Sequence, residues 1–231
     1  MAAVHLAAIR GDLRMLVVIV ESGGDITLLD NGFASPLYYA AKYGRIECVR
    51  YLLSKHKENE LKTVTCHYDD VPLRQGYVEI VALLVTSGCH LEQQDPNGWT
   101  VLHAVCKRSN VEVVKTLLKI ESLLKPSAIK HMITVVCDDG YSIHLACHYS
   151  NLDVIRLLIS HHSPLNKFNS FGCTPLMVCC QSGQYQTVQL LLDAGADPNL
   201  VSPINKKTAM HWAANRRDLQ RVWLLLQFGG D

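Results

Sequence analysis

Within this 231-residue chain the residues most suggestive of chemistry are His144, Cys147 and His148. Two imidazoles at i and i+4 share one face of a helix, with a thiol close by, and a divalent metal is what such a group would hold. The spacing fits no common structural zinc pattern. No nucleophile elbow, phosphate loop, Cys-x-x-Cys pair or His-Glu-x-x-His occurs elsewhere in the chain. His161-His162 precedes Ser163-Pro164 and reads as a solvated turn, and Cys66-His67 is assigned no role. The sequence therefore predicts no catalytic residue, no metal site and no cofactor.

What must position these side chains is clearest in residues 169–199, where a turn ending in Gly172 leads into Thr174-Pro175-Leu176 and a short helix holding Cys179 and Cys180. Gly183 breaks the chain, and a more apolar helix follows with Val188, Leu190, Leu191 and Leu192, closed by Gly195. The residue ending the first helix recurs as Gly11, Gly44, Gly76, Ser109, Ser150, Gly183 and Arg217, at spacings of 33, 32, 33, 41, 33 and 34.

A period near 33 opened by Ser35-Pro36-Leu37-Tyr38-Tyr39-Ala40-Ala41, Thr100-Val101-Leu102-His103, Thr174-Pro175-Leu176-Met177 and Thr208-Ala209-Met210-His211 resembles the ankyrin repeat family over nearly the whole length. The resemblance implies an all-α solenoid of about seven helix-turn-helix repeats with short finger turns, in one domain spanning 1–231. The repeats fall at approximately 1–29, 30–61, 62–94, 95–136, 137–166, 167–199 and 200–231. It also implies that His144, in register with His5, His103 and His211, serves inter-repeat hydrogen bonding and not a metal.

Composition bounds the rest. A 48% apolar content is enough for a large core, but stacked repeats share it between neighbours and build no single centre. A net charge of +1 gives no general attraction to nucleic acid or to an anionic membrane. The longest early apolar run, Met15 to Val20, is too short to span a bilayer. Of nine cysteines, Cys106, Cys147 and Cys180 occupy the small-residue position of Ala8, Ala41 and Ala214, where packed helices lie roughly 8–10 Å apart, beyond disulfide reach. That favours a reduced, intracellular setting, the cytoplasm ahead of the nucleus.

Irregularities are expected at four places. Gly32 comes one position early in the second finger, and Pro72 disrupts the first element of repeat three, around 62–75. An insertion of about eight residues follows repeat four, where Pro126 should end an extended helix and residues 129–136 should pack on the repeat edge. Lys206-Lys207 stand where the last finger wants glycine. Both ends carry apolar helices without a polar cap, and the expectation is a fragment of a longer protein. Trp212 and Trp223 are read as core.

Relatives of this family bind partners on the concave face built from fingers and first helices. The positions there that no packing rule fixes include Lys107-Arg108 and His148-Tyr149, and the fingers add Trp99, Tyr141 and Phe171. Aromatic residues beside cations are frequent anchors of binding hot spots. The predicted partner-binding set is therefore Trp99, Lys107, Arg108, Tyr141, His148, Tyr149 and Phe171, facing a protein partner with an acidic, partly apolar segment. Neither nucleic acid nor membrane is expected as partner, and oligomeric state is left open. The expected function is non-catalytic adaptor or scaffold recognition; the alternative is a targeting or regulatory segment of a larger enzyme, ubiquitin-ligase adaptor or channel.

Overall fold

Helix stops fix the register. In the computed structural model, Gly11, Gly44, Ser150 and Arg217 all take the left-handed conformation, with φ of 77°, 69°, 55° and 55°. These are the residues that the period marks as ending a first helix, so the serine and arginine fill a role elsewhere given to glycine. The next residue then caps the second helix: Asp12, Asn151 and Asp218 accept from the backbone N–H of Met15, Val154 and Arg221.

The structure describes residues 1–32, 34–56, 77–87, 94, 98–108, 111–124, 126–182 and 184–231; within them, the side chains of 77, 85, 108, 120–124 and 126–129 are not described. The irregular opening expected at 62–75 lies outside the described residues, as does position 33 of the second finger.

Fourteen helices are described: α1 (Ala3–Arg10), α2 (Leu13–Glu21), α3 (Pro36–Lys42), α4 (Ile46–Lys55), α5 (Tyr77–Thr86), α6 (Val101–Arg108), α7 (Val111–Leu124), α8 (Pro126–Thr134), α9 (Ser142–His148), α10 (Leu152–Ser160), α11 (Pro175–Ser182), α12 (Tyr185–Asp193), α13 (Ala209–Asn215) and α14 (Leu219–Gln227). Among the described residues there is no strand, only an isolated bridge between Cys137 and Gly140. The fold is an all-α solenoid of helix pairs, as the period predicts. In the insertion, Pro126 does double duty. It follows the end of α7 and stands first in α8, where its missing N–H costs nothing. Met132 and Ile133 near the end of α8 are fully buried.

Two compact units are distinguishable, residues 1–96 with 115–126, and residues 97–114 with 127–231. In the first, α1 packs on α2 and α3, and α4 packs on α2, α3 and α5. Its core holds Ala8, Leu16, Leu37, Ala40, Val49 and Leu52. In the second, α6, α9, α11 and α13 pack in succession, with α10, α12 and α14 as a second layer. Cys106, Cys147, Cys179 and Cys180 are buried between these first helices, where a methyl-sized group lets the backbones approach.

Candidate recognition groove

Each first helix begins at a cap residue: Ala2, Ser35, Thr100, Tyr141, Thr174 and Thr208 in the described repeats. Counting from that cap explains what every position does. The third residue on is His5, His103, His144 or His211, whose Nδ1 accepts from the cap's own backbone N–H at 3.1 to 3.2 Å. A backbone N–H can only donate, so Nδ1 is the acceptor and the ring proton sits on Nε2. That Nε2 donates onward to the next finger: His144 to the Cys173 carbonyl at 3.0 Å, and His5 to those of Leu28 and Ala34 at 3.0 and 3.2 Å. The imidazoles of His5 and His144 are thus struts between repeats, whereas the buried His103 Nε2 has no hydrogen-bond partner among the described residues. Burial pushes His103 and His144 down to about 4, so both are neutral. Among the described residues no group of three or more His, Cys, Asp or Glu side chains could hold a metal.

Burial also raises the Cys106, Cys147 and Cys180 thiols, the last to about 12, which leaves no nucleophilic thiolate at these positions.

In repeats two and six the finger before the cap is closed by an Asx residue five positions earlier. In repeat six the Asn169 Oδ1 accepts from the N–H groups of Phe171 and Cys173, at 3.1 and 2.9 Å. In repeat two Asp30 does the same for Gly32 and Ala34, at 2.8 and 3.0 Å. This turn throws the residue three before the cap outward and the residue one before it inward. Phe171 is accordingly 63% exposed, whereas Ala34, Trp99 and Cys173 are all buried.

In the second unit the outward and inward positions enclose a concave groove of about 520 Å³. Its floor comes from the fourth residue of three consecutive first helices, Leu145, Val178 and Trp212, and the seventh residues His148 and Gln181 stand beside them. Tyr149, Asp139, Asn169, Phe171 and Asn205 complete the walls. Leu145 and Val178 are buried, while Phe171, Tyr149, His148 and Gln181 are exposed. Lys207 Nζ sits 5.0 Å from the centre of the Trp212 ring.

A family profile described as ankyrin repeats, three copies, matches residues 1–67, 72–142 and 120–202. The chain is an ankyrin repeat protein. It is similar to the Neurospora crassa ankyrin repeat protein nuc-2, at 26% identity over 96% of this chain and 20% of that one. It is also similar to the palmitoyltransferase AKR1 of Lachancea kluyveri, at 28% over 84% and 26%, and to the Arabidopsis thaliana E3 ubiquitin-protein ligase KEG, at 25% over 99% and 15%. The chain therefore spans about a quarter or less of the length of these relatives. Among solved structures, the human ASB11 ankyrin repeat domain superposes with a TM-score of 0.72 at 20% identity, covering 97% of each chain. The ankyrin repeat domain of Bcl-3 gives 0.65 at 21%, covering all of this chain and 87% of that one.

Within the ankyrin frame the seven predicted residues separate. His148, Tyr149 and Phe171 meet in the groove; His148 and Tyr149 lie edge to face at 5.0 Å. Tyr141 is the cap of α9 itself and stacks on His144 at 5.6 Å, half-buried, outside the lining. Trp99 differs from the expected exposed anchor: it occupies the inward position before its cap, is only 3% exposed, and lies beneath Lys107, whose Nζ is 4.6 Å from the ring centre. Lys107 is half-buried, and the Arg108 side chain lies outside the described residues.

Two tryptophans also depart from expectation. Trp212 is half-buried at the end of the groove floor instead of in the core, with an indole N–H that has no acceptor among the described residues. Trp223 is 59% exposed on α14 beside Leu219. The predicted partner-binding set did not include Leu145, Val178, Gln181 or Trp212, which line the groove. Their signal was present in the repeat alignment, since they fall on only two positions counted from the cap.

Proposed function

We propose that this chain is a non-catalytic protein-recognition module, acting as an adaptor or scaffold, that takes a polypeptide segment along the groove of repeats five to seven. The observation that carries the reading is that one position of three consecutive repeats builds a continuous floor, flanked by two exposed aromatic rings. Interfaces draw most of their energy from a few such aromatic anchors. The expected acidic part of the partner would meet Lys107 and Arg108 on α6, a helix with no described side chain in the groove lining. One continuous repeat domain over 1–231 and a reduced, cytoplasmic setting belong to the same proposal, the latter consistent with buried thiols at alanine positions.

Cross-linking mass spectrometry tests it. A Phe171→Ala, Tyr149→Ala variant should lose the cross-linked partner while melting like the unmodified chain, because both rings are exposed. Unchanged cross-linking would remove the groove as the site. A companion Lys107→Glu, Arg108→Glu variant reports whether the partner also reaches α6.

A second reading is favoured by the relatives, in which the matching segment is a minor part of a palmitoyltransferase or a ubiquitin ligase. Here the same groove would bring a substrate or regulator to an activity carried elsewhere in a longer chain.

A further inference from the structure

We infer that the groove selects an extended peptide segment in which an apolar side chain adjoins a basic one. This rests on the recognition reading above and adds the chemistry of the partner. The apolar half follows from the surfaces: Leu145, Val178 and the half-buried Trp212 form the floor, and Phe171 and Tyr149 stand over it, a pocket that gains only from an apolar occupant. The extended half follows from Gln181. Its side chain is exposed and makes no hydrogen bond among the described residues, and its amide, one acceptor and two donors, matches the alternating N–H and C=O of a strand.

The basic half follows from charge. Asp139 lines the groove and Asp138 is exposed next to it, whereas no lysine or arginine is among the lining residues. An acidic neighbour of the apolar anchor would face these carboxylates; a basic one would be drawn to them. Lys207 over Trp212 sets the direction, because it repels a cation from the repeat-seven end. The basic residue of the segment therefore lies toward the finger of repeat five and its apolar residue toward Trp212.

Glycine–serine octapeptides containing a lysine–leucine, glutamate–leucine or lysine–alanine pair, titrated into the ¹⁵N-labelled chain, test the inference. The lysine–leucine peptide should shift the amide signals of Phe171 and Gln181 and bind about tenfold more tightly than either of the others. In an Asp138→Lys, Asp139→Lys variant the preference should turn to glutamate–leucine, and Asp139→Asn, with a milder change to the finger, should weaken the lysine preference. Equal or tighter binding of glutamate–leucine to the unmodified chain overturns the basic assignment, and equal binding of lysine–alanine overturns the apolar one. If no peptide moves the groove signals while the Phe171→Ala, Tyr149→Ala variant still loses its cross-linked partner, the inference falls and the recognition reading stands. If that variant keeps its partner as well, both fall.

Discussion

Repeat two and repeat six use the same finger geometry to opposite ends. Asp30 and Asn169 each tie two backbone N–H groups of their turn. In repeat two the second carboxylate oxygen also accepts from the Tyr39 hydroxyl at 2.7 Å, and the Tyr39 ring stacks on Tyr43 and lies edge-on to His5. In repeat six the residue in the place of Tyr39 is Val178, and the residue before it, Met177, accepts the cap N–H through sulfur. In repeat two the fourth position after the cap carries Tyr39, held by Asp30, with Tyr43 stacked on it and still 43% exposed. In repeat six the same position carries Val178, beside Phe171 and Tyr149 in the groove. The two repeats differ in what the fourth position after the cap presents, a tethered ring or a small apolar side chain.

The largest expected difference between the regions is in acid. His103 and His144 titrate near 4 when folded against about 6.5 when free, so the unfolded chain binds more protons. Their contribution is complete above pH 6.5 and is lost as pH falls toward 4, by up to about 3 kcal/mol for each histidine. Asp30 behaves differently. The Tyr39 hydroxyl, with the turn amides, holds it down at about 2, so its contribution survives to pH near 3.8 and disappears only below that. Tyr39 is raised to about 12 by the same bond, and its part is lost as pH rises from 10 toward 12. Urea midpoints followed between pH 7 and 4 should fall steeply in the unmodified chain. They should fall less in a His144→Gln variant, whose amide can still cap the helix start.

Next in size is the turn itself. Gly172 has φ of 68°, and a Cβ there would come 2.9 Å from Ile204 Cγ1 and from the buried Ser202 Oγ. Gly172→Ala should cost about 2 kcal/mol from left-handed strain and crowding together, read as a lower unfolding midpoint. A transplant then breaks the comparison directly. Asn169→Asp with Val178→Tyr installs the repeat-two pair in repeat six, and the new ring fills the floor beside Phe171. Fold content by circular dichroism should be unchanged, while binding of the lysine–leucine peptide drops by about tenfold or more, roughly 1.4 kcal/mol. Retained binding would mean that Val178 is not part of the floor a ligand uses.

How much of this was legible in the chain depended on what each residue answers to. Helix stops, caps and the cysteine positions answer to local geometry that repeats with the period, and Ser150 and Arg217 could be placed as stops before any coordinates. The inter-repeat histidines were legible for the same reason. Orientation within a finger was not, because Trp99, Tyr141 and Phe171 look alike as aromatic residues near a turn while lying one before, at, and three before the cap. The Asx turn of repeat six sends Phe171 outward, whereas Trp99 stands at the inward position directly before its cap. Trp212 was misread by averaging: its column contains the buried Leu145 and Val178, but also the 45% exposed Leu6, so the column lines a surface and does not fill a core.

The smallest effect concerns the finger of repeat seven, where Lys206 occupies the place that Gly172 holds in repeat six. Its φ of 58° shows that the turn forms without glycine. It does so because other bonds over-determine it: Lys206 N–H donates to the Ser202 carbonyl at 3.1 Å, Lys207 N–H to Asn205 Oδ1 at 3.1 Å, and Ser202 N–H to the Lys207 carbonyl at 2.9 Å. A lysine held left-handed stores roughly 1 kcal/mol. Lys206→Gly should therefore stabilise the chain, by about 1 kcal/mol less the extra freedom glycine gains when unfolded, for a net rise in Tm of a degree or two. Lys207 should still cover Trp212 in that variant, so peptide affinity should not change. A fall in Tm instead would mean that the Lys206 side chain makes a contact worth more than the strain it imposes, and fingers six and seven would then differ in packing and not only in backbone cost.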